Sequence, residues 1–201
     1  KRIKNIMNNV INIDKAIFSV HCHNDLGFAV ANSIAALNAG VRQLECTING
    51  LGERAGNASL EEIVMTLKTR GDIIPYISDV ESEYFTKISQ IVSEASGFEV
   101  APNKAIVGKN AFAHESGIHQ HGVIVHPNTY EIILPEEVGG SGSKIVMGKH
   151  SGRHAFKHKL VKLGVTLGNN ELEHAFILFK RIADKEKNVS DKQILNLINS
   201  I

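Results

Sequence analysis

Ile17 to Cys22 form a short run rich in β-branched and apolar residues, a pattern that predicts a strand. The next segment, Phe28 to Asn38, carries Val30, Ile34 and Leu37 at helical spacing and stops before Gly40. Val41 to Ile48 reads as a second strand, followed by the turn Asn49-Gly50-Leu51-Gly52. A helix is then expected over Ser59 to Thr69, with Ser59 as N-cap and Glu62 at the capping-box position. Strands that alternate with helices imply a parallel sheet with right-handed crossovers.

Beyond Arg70 the pattern changes. Ser82 to Ser96 reads as one amphipathic helix, and Gly97 to Lys109 as extended, irregular backbone marked by Pro102 and two glycines. A Gly/Ser-rich loop follows at Gly139 to Ser143, then helices at about Ser151 to Leu163, Asn170 to Lys187 and Asp191 to Asn199. Leu172, Phe176, Phe179 and Ile182 share one stripe of the middle helix, which marks them as core. The expected boundary near Gly71 gives three parts: residues 1–70, a linker with a helix over 71–109, and a mostly helical region over 110–201.

With 43% hydrophobic residues among 201, the chain has material for a substantial core. Its 22 basic and 21 acidic residues leave a net charge of +1, which gives no footprint for nucleic acid or an anionic membrane. A small acidic substrate would have to be met locally. No apolar run approaches the ~20 residues that span a bilayer. Only two cysteines occur, Cys22 and Cys46, each inside a predicted strand, which argues against a disulfide framework and for a reducing, cytoplasmic setting. The first residue is Lys1 rather than Met, so an upstream N-terminus is expected.

His21-Cys22-His23-Asn24-Asp25 lies where the first strand runs out. The period of two along a strand sends both imidazoles to one face and Cys22 to the other. Two neutral imidazoles there either ligate one divalent metal or form hydrogen bonds in a polar strand end. The loop from Asn49 to Asn57 follows the next strand and so opens onto the same rim, bringing Glu53, Arg54 and Asn57 towards the histidines. Gly50, Gly52 and Ala55 also satisfy a loose dinucleotide fingerprint. Against that reading, the irregular Gly71-Asp72-Ile73-Ile74-Pro75 supplies no second strand ending in an acidic ribose ligand. A third cluster, Ala111 to His121, holds His114, Glu115, His119 and His121, which are either general acid/base candidates or polar positions on a short surface helix.

Taken in order, five runs resemble the 2-isopropylmalate synthase family: His21 to Gly27, Thr47 to Asn57, Asn103 to Gly108, His114 to Gln120, and Gly148 to Arg153. The resemblance implies a (β/α)8 TIM barrel that holds a divalent metal and condenses acetyl-CoA with 2-oxoisovalerate in leucine biosynthesis. By the same resemblance the fold class is α/β: the last two βα units of an incomplete barrel over 1–70, then a mostly helical subdomain region that closes the active site. His21 and His23 match the family's histidine ligands, and Asn57 a further metal-site residue. The ion would be Mn²⁺ or Mg²⁺ where oxygen ligands complete the shell, and two imidazoles also admit Zn²⁺. His119 and Tyr130 match a catalytic histidine and tyrosine contributed from beyond the barrel, commonly across a homodimer. His121 departs from the family, where an acidic residue is usual. The family's Arg-Asp pair and catalytic Glu find no counterpart, so a fragment that is inactive alone is expected. Homocitrate and citramalate synthases share several of these motifs, and a non-catalytic dimerisation module is the alternative for the isolated chain.

Overall fold

The computed structural model describes residues 1–114, 132–142, 144–186 and 188–201. They fall into two compact units, residues 1–111 with 133–141, and residues 112–114 and 132 with 142, 144–186 and 188–201.

The first unit begins with helix α1 (Arg2–Asn9), which buries none of its residues. Strand β1 (Ser19–His21), helix α2 (Ala29–Leu37), strand β2 (Gln43–Glu45) and helix α3 (Leu60–Thr69) follow. β1 and β2 pair in parallel, with Ser19 opposite Gln43, Val20 opposite Leu44 and His21 opposite Glu45. A parallel pair requires a crossover, which α2 supplies. The helices bury Ala29, Leu37, Ile63 and Leu67 with Ala58 and Ile74, and Cys22, Val30, Ile34, Leu44 and Cys46 pack against that cluster. The mixed α/β character and parallel sheet read from the sequence are therefore present in the first unit.

Two predicted features take a different form. Ser59 precedes α3 but its side chain caps nothing. Its hydroxyl instead donates to Glu61 Oε2 at 2.6 Å, and Glu62 pairs with Lys104 Nζ, so no capping box forms. Ser82 to Ser96 is a 3₁₀ turn at Ser82–Tyr84 leading into α4 (Phe85–Ser96). The turn is held by the 135–138 turn: Ser82 Oγ donates to the Glu137 carbonyl at 2.6 Å and Thr86 Oγ1 to that of Val138 at 2.7 Å. Gly139 follows at φ +76°, where a Cβ would collide with the Glu83 carbonyl oxygen.

The second unit contains a short parallel pair, β3 (Ala113–His114) with β4 (Lys144–Ile145). Three helices follow: α5 (Arg153–Lys162), α6 (Asn169–Ala183) and α7 (Asp191–Ile198). Their core holds Phe156, Leu160, Leu172, Phe179, Ile194 and Leu197, with Phe176 and Ile182 packed against it. The stripe read along the middle helix is thus buried or half-buried. Among the described residues no helix is long and apolar enough to cross a membrane.

Candidate metal centre

The period of two holds at the end of β1. Cys22 turns to the core of the first unit, while His21 and His23 face outward. Their rings meet edge to face, with centroids 4.9 Å apart. Parallel register places Glu45 beside His21, and its Oε2 lies 3.4 Å from His21 Nδ1. Ser19 Oγ donates to the other oxygen of that carboxylate at 2.8 Å. A carboxylate on Nδ1 favours the tautomer that leaves Nε2 unprotonated and available to a cation.

His23 forms an isolated bridge with Asn57, so the residue that closes the glycine-rich loop lies directly beside the histidine pair. Asn57 Nδ2 donates to the Leu51 carbonyl at 3.3 Å, and Gly52 makes room for the amide, since a Cβ there would strike it. The other end of the amide has no such partner. Asn57 Oδ1 is buried without a hydrogen bond among the described residues. An orphaned buried acceptor costs about 1–3 kcal/mol, a cost that a cation at this point would remove. Two imidazoles and an amide oxygen fit a divalent ion of borderline hardness. Among the described residues no group of three or more His, Cys, Asp or Glu gathers around them, so no carboxylate joins the set.

A second link ties the same two loops together. Arg54 grips Asp25 with two hydrogen bonds, Nε to Oδ1 at 2.8 Å and NH2 to Oδ2 at 3.1 Å. The guanidinium holds the Asp25 carboxyl below its ordinary range, chiefly through the side-chain hydrogen bond, and the carboxylate raises Arg54 in turn. Arg54 adopts φ +58°, an uncommon conformation for a residue with a Cβ. Sequence reading brought Arg54 to this rim without its partner; opposite charges at the tips of two adjacent loops were the available signal. Cys46 is no candidate ligand or nucleophile, because burial, then the charge of Glu61, raises its thiol. His119 and Tyr130 lie outside the described residues.

Two family models match in tandem along the chain. The HMGL-like family model matches residues 1–92, and the model for a homocitrate synthase post-HMGL domain-like segment matches residues 106–187. The first stretch is thus similar to HMGL-like proteins, and the second to the segment that follows such a domain in homocitrate synthase. The chain is also similar to curated 2-isopropylmalate synthases. That of Afipia carboxidovorans is 58% identical over 99% of this chain and 38% of the relative. Those of Nitrobacter hamburgensis and Rhodopseudomonas palustris are each 57% identical, over 99% and 98% of this chain. The chain spans 38% of the length of these relatives.

Proposed function

We propose that this chain carries one flank of the active site of a 2-isopropylmalate synthase, with His21, His23 and Asn57 as ligands of a divalent metal, Mn²⁺ or Mg²⁺ where oxygen ligands complete the shell, with Zn²⁺ also admitted by the two imidazoles. The reaction is the condensation of acetyl-CoA with 2-oxoisovalerate, a step of leucine biosynthesis. The observation that carries the reading is the orphaned Asn57 Oδ1 beside two edge-to-face imidazoles, in a chain 58% identical to a protein of that name.

When bound, the ion supplies positive charge that polarises the 2-oxo group and holds the substrate carboxylate. The chain's residues prepare that site. Glu45 orients His21, Asn57 offers its oxygen, and the Asp25–Arg54 grip fixes the two loops against each other. The β1-α2-β2-α3 portion corresponds in this reading to the last two βα units of a (β/α)8 barrel over residues 1–70. The 71–109 stretch links it to a helical subdomain region over 110–201. His119 and Tyr130 act as acid/base or thioester-positioning groups, contributed across a homodimer. The two free thiols suit the reducing cytoplasm.

A second reading has a specific observation behind it, since residues 106–187 match a family model described by homocitrate synthase. The 2-oxo acid accepted separates the two. The test replaces the equivalent stretch of the Afipia carboxidovorans synthase with this chain. The chimera is expected to release CoA from acetyl-CoA in the presence of Mn²⁺ and 2-oxoisovalerate, and less with 2-oxoglutarate or pyruvate. In it, His23→Ala should weaken Mn²⁺ binding and turnover together by at least about tenfold, the scale of lost metal-site support. Preference for 2-oxoglutarate would favour the homocitrate reading, and unchanged metal dependence in the variant would sink the ligand assignment. The 201-residue chain by itself should release no CoA, because groups that act as a unit fail together. Turnover by it would remove the alternative of a non-catalytic dimerisation module.

A further inference from the structure

Glu61 is fully buried, in the first turn of α3. A charged side chain taken out of water is costly unless donors satisfy it, and the donors here are informative. Glu61 Oε1 accepts the backbone N–H of Asn49 at 2.7 Å, and Oε2 accepts the hydroxyl of Ser59 at 2.6 Å. That hydroxyl in turn receives Lys104 Nζ at 3.2 Å. The helix N-terminus favours a negative charge at this position, and Ser59 is turned from capping the helix to serving the carboxylate.

Asn49 is where the glycine-rich loop begins. It sits at φ +60°, and Gly50 after it at φ +69°. Its side chain is clamped from the other side: Ser89 Oγ donates to Asn49 Oδ1, and Asn49 Nδ2 donates to the Ser89 carbonyl at 3.0 Å. The Gly50 carbonyl then accepts the N–H of Asn57 at 2.9 Å, at a point where Gly56 lies too close for any Cβ. A continuous run therefore leads from Glu61 through Asn49 and Gly50 to Asn57.

We infer that Glu61 is a positioning residue: its buried carboxylate sets the left-handed start of the 49–57 loop and thereby fixes where Asn57 Oδ1 points beside His23. The inference rests on the metal reading of that oxygen for its consequence, but its structural half stands apart from any ion. Glu61 itself is fully buried, and its two carboxylate oxygens are engaged by the Asn49 N–H and the Ser59 hydroxyl.

The experiment uses the 201-residue chain with Glu61→Ala, Glu61→Gln and Ser89→Ala. Amide hydrogen exchange is followed by NMR without metal, and Mn²⁺ affinity is then measured by titration. Glu61→Ala should speed exchange at Asn49 and Asn57 by about tenfold or more, the effect of one lost hydrogen bond to a charged group. Exchange at Val64 and Leu67, inside α3, should stay near the parent rate, because local opening is distinct from global unfolding. Mn²⁺ affinity should fall by about tenfold in the same variant, again on the scale of one such bond. Glu61→Gln keeps an acceptor for the Asn49 N–H and should recover most of both effects. A folded Glu61→Ala chain whose Asn49 and Asn57 exchange matches the parent overturns the inference. So does an equal rise at Val64 and Leu67, which would mean a general loss of stability. Should Glu61→Ala fail to fold, Ser89→Ala loosens Asn49 from the opposite side, and unchanged loop exchange there overturns it equally. His23→Ala separates the two readings: normal loop exchange with unaltered Mn²⁺ affinity defeats the metal assignment and leaves the exchange comparison to decide the role of Glu61.

Discussion

Asp25 and His158 both titrate below their ordinary values, for opposite physical reasons. The Arg54 guanidinium favours the charged form of Asp25 by hydrogen bonding to it. Desolvation, and then the charge of Lys162, disfavours the charged form of His158, whose Nδ1 is buried with no hydrogen-bond partner among the described residues. The sign is the same in both cases. Where the folded pKa lies below the unfolded one, the unfolded state binds more protons, so stability rises with pH and is lost as pH falls. For Asp25 the loss lies below 3.8, and for His158 it begins below 6.5. Lowering the pH from about 7.5 to about 5.5 should therefore reduce the Tm of the helical unit, and His158→Gln should flatten that dependence. Calorimetry across that range checks it, and a Tm that rises on acidification would contradict the assignment. At this scale the sequence disclosed part of the candidate centre. The shared face of His21 and His23 follows from the two-residue period alone, and the loop position of Asn57 follows from the turn. The Glu45 and Arg54 contacts join residues 24 and 29 positions apart, and no local pattern announces such pairings.

The elements were legible wherever periodicity ran long. α2, α3, α6 and α7 fall within a residue or a few of their expected bounds because each carries a stripe that must face a core. α1 was not read, although Ile3, Ile6 and Met7 recur at helical spacing; its eight residues bury nothing, and Met7 lies against Gly40. The Ser82–Tyr84 turn was read as helix because its sequence is compatible with one, and the 135–138 turn that reshapes it lies more than 50 residues away. Core contacts also set the weight of single side chains. Phe179 is fully buried in α6 and stacks on Phe156, ring centroids 4.8 Å apart, with Phe176 at 6.0 Å. Phe179→Ala should cost the helical unit about 3–5 kcal/mol, a large share of the ~5–15 kcal/mol that holds a typical domain folded. Urea unfolding followed by a probe in that unit would register the loss. A shift under about 1 kcal/mol, the scale of a surface change, would show that α6 is not central to it.

At the scale of the whole molecule, the proposed ligands fall before residue 58 and the proposed acid/base pair after residue 118. That separation in sequence is what motivates a site shared between two copies of the chain. On the proposed reading, a two-fold dimer would let each copy supply His119 and Tyr130 to its partner's metal flank. Two inactive chimeras, one with His21→Ala and one with His119→Ala, should regain activity when mixed under conditions that allow subunit exchange. Mixed dimers then contain one intact site. Verified exchange with no recovery would place His119 within its own subunit or outside the chemistry.

The bridge between His23 and Asn57 closes a span of 57 − 23 = 34 residues, and it has a consequence for the birth of the protein. Loop closure costs grow only logarithmically with length, so a span this short can close without help from distant chain. Translation at roughly 5–20 residues per second delivers it within a few seconds. Both imidazoles and their amide neighbour thus leave the ribosome almost together, whereas Tyr130 emerges 130 − 57 = 73 residues later. The bridge between His23 and Asn57 can therefore close before residue 130 is made.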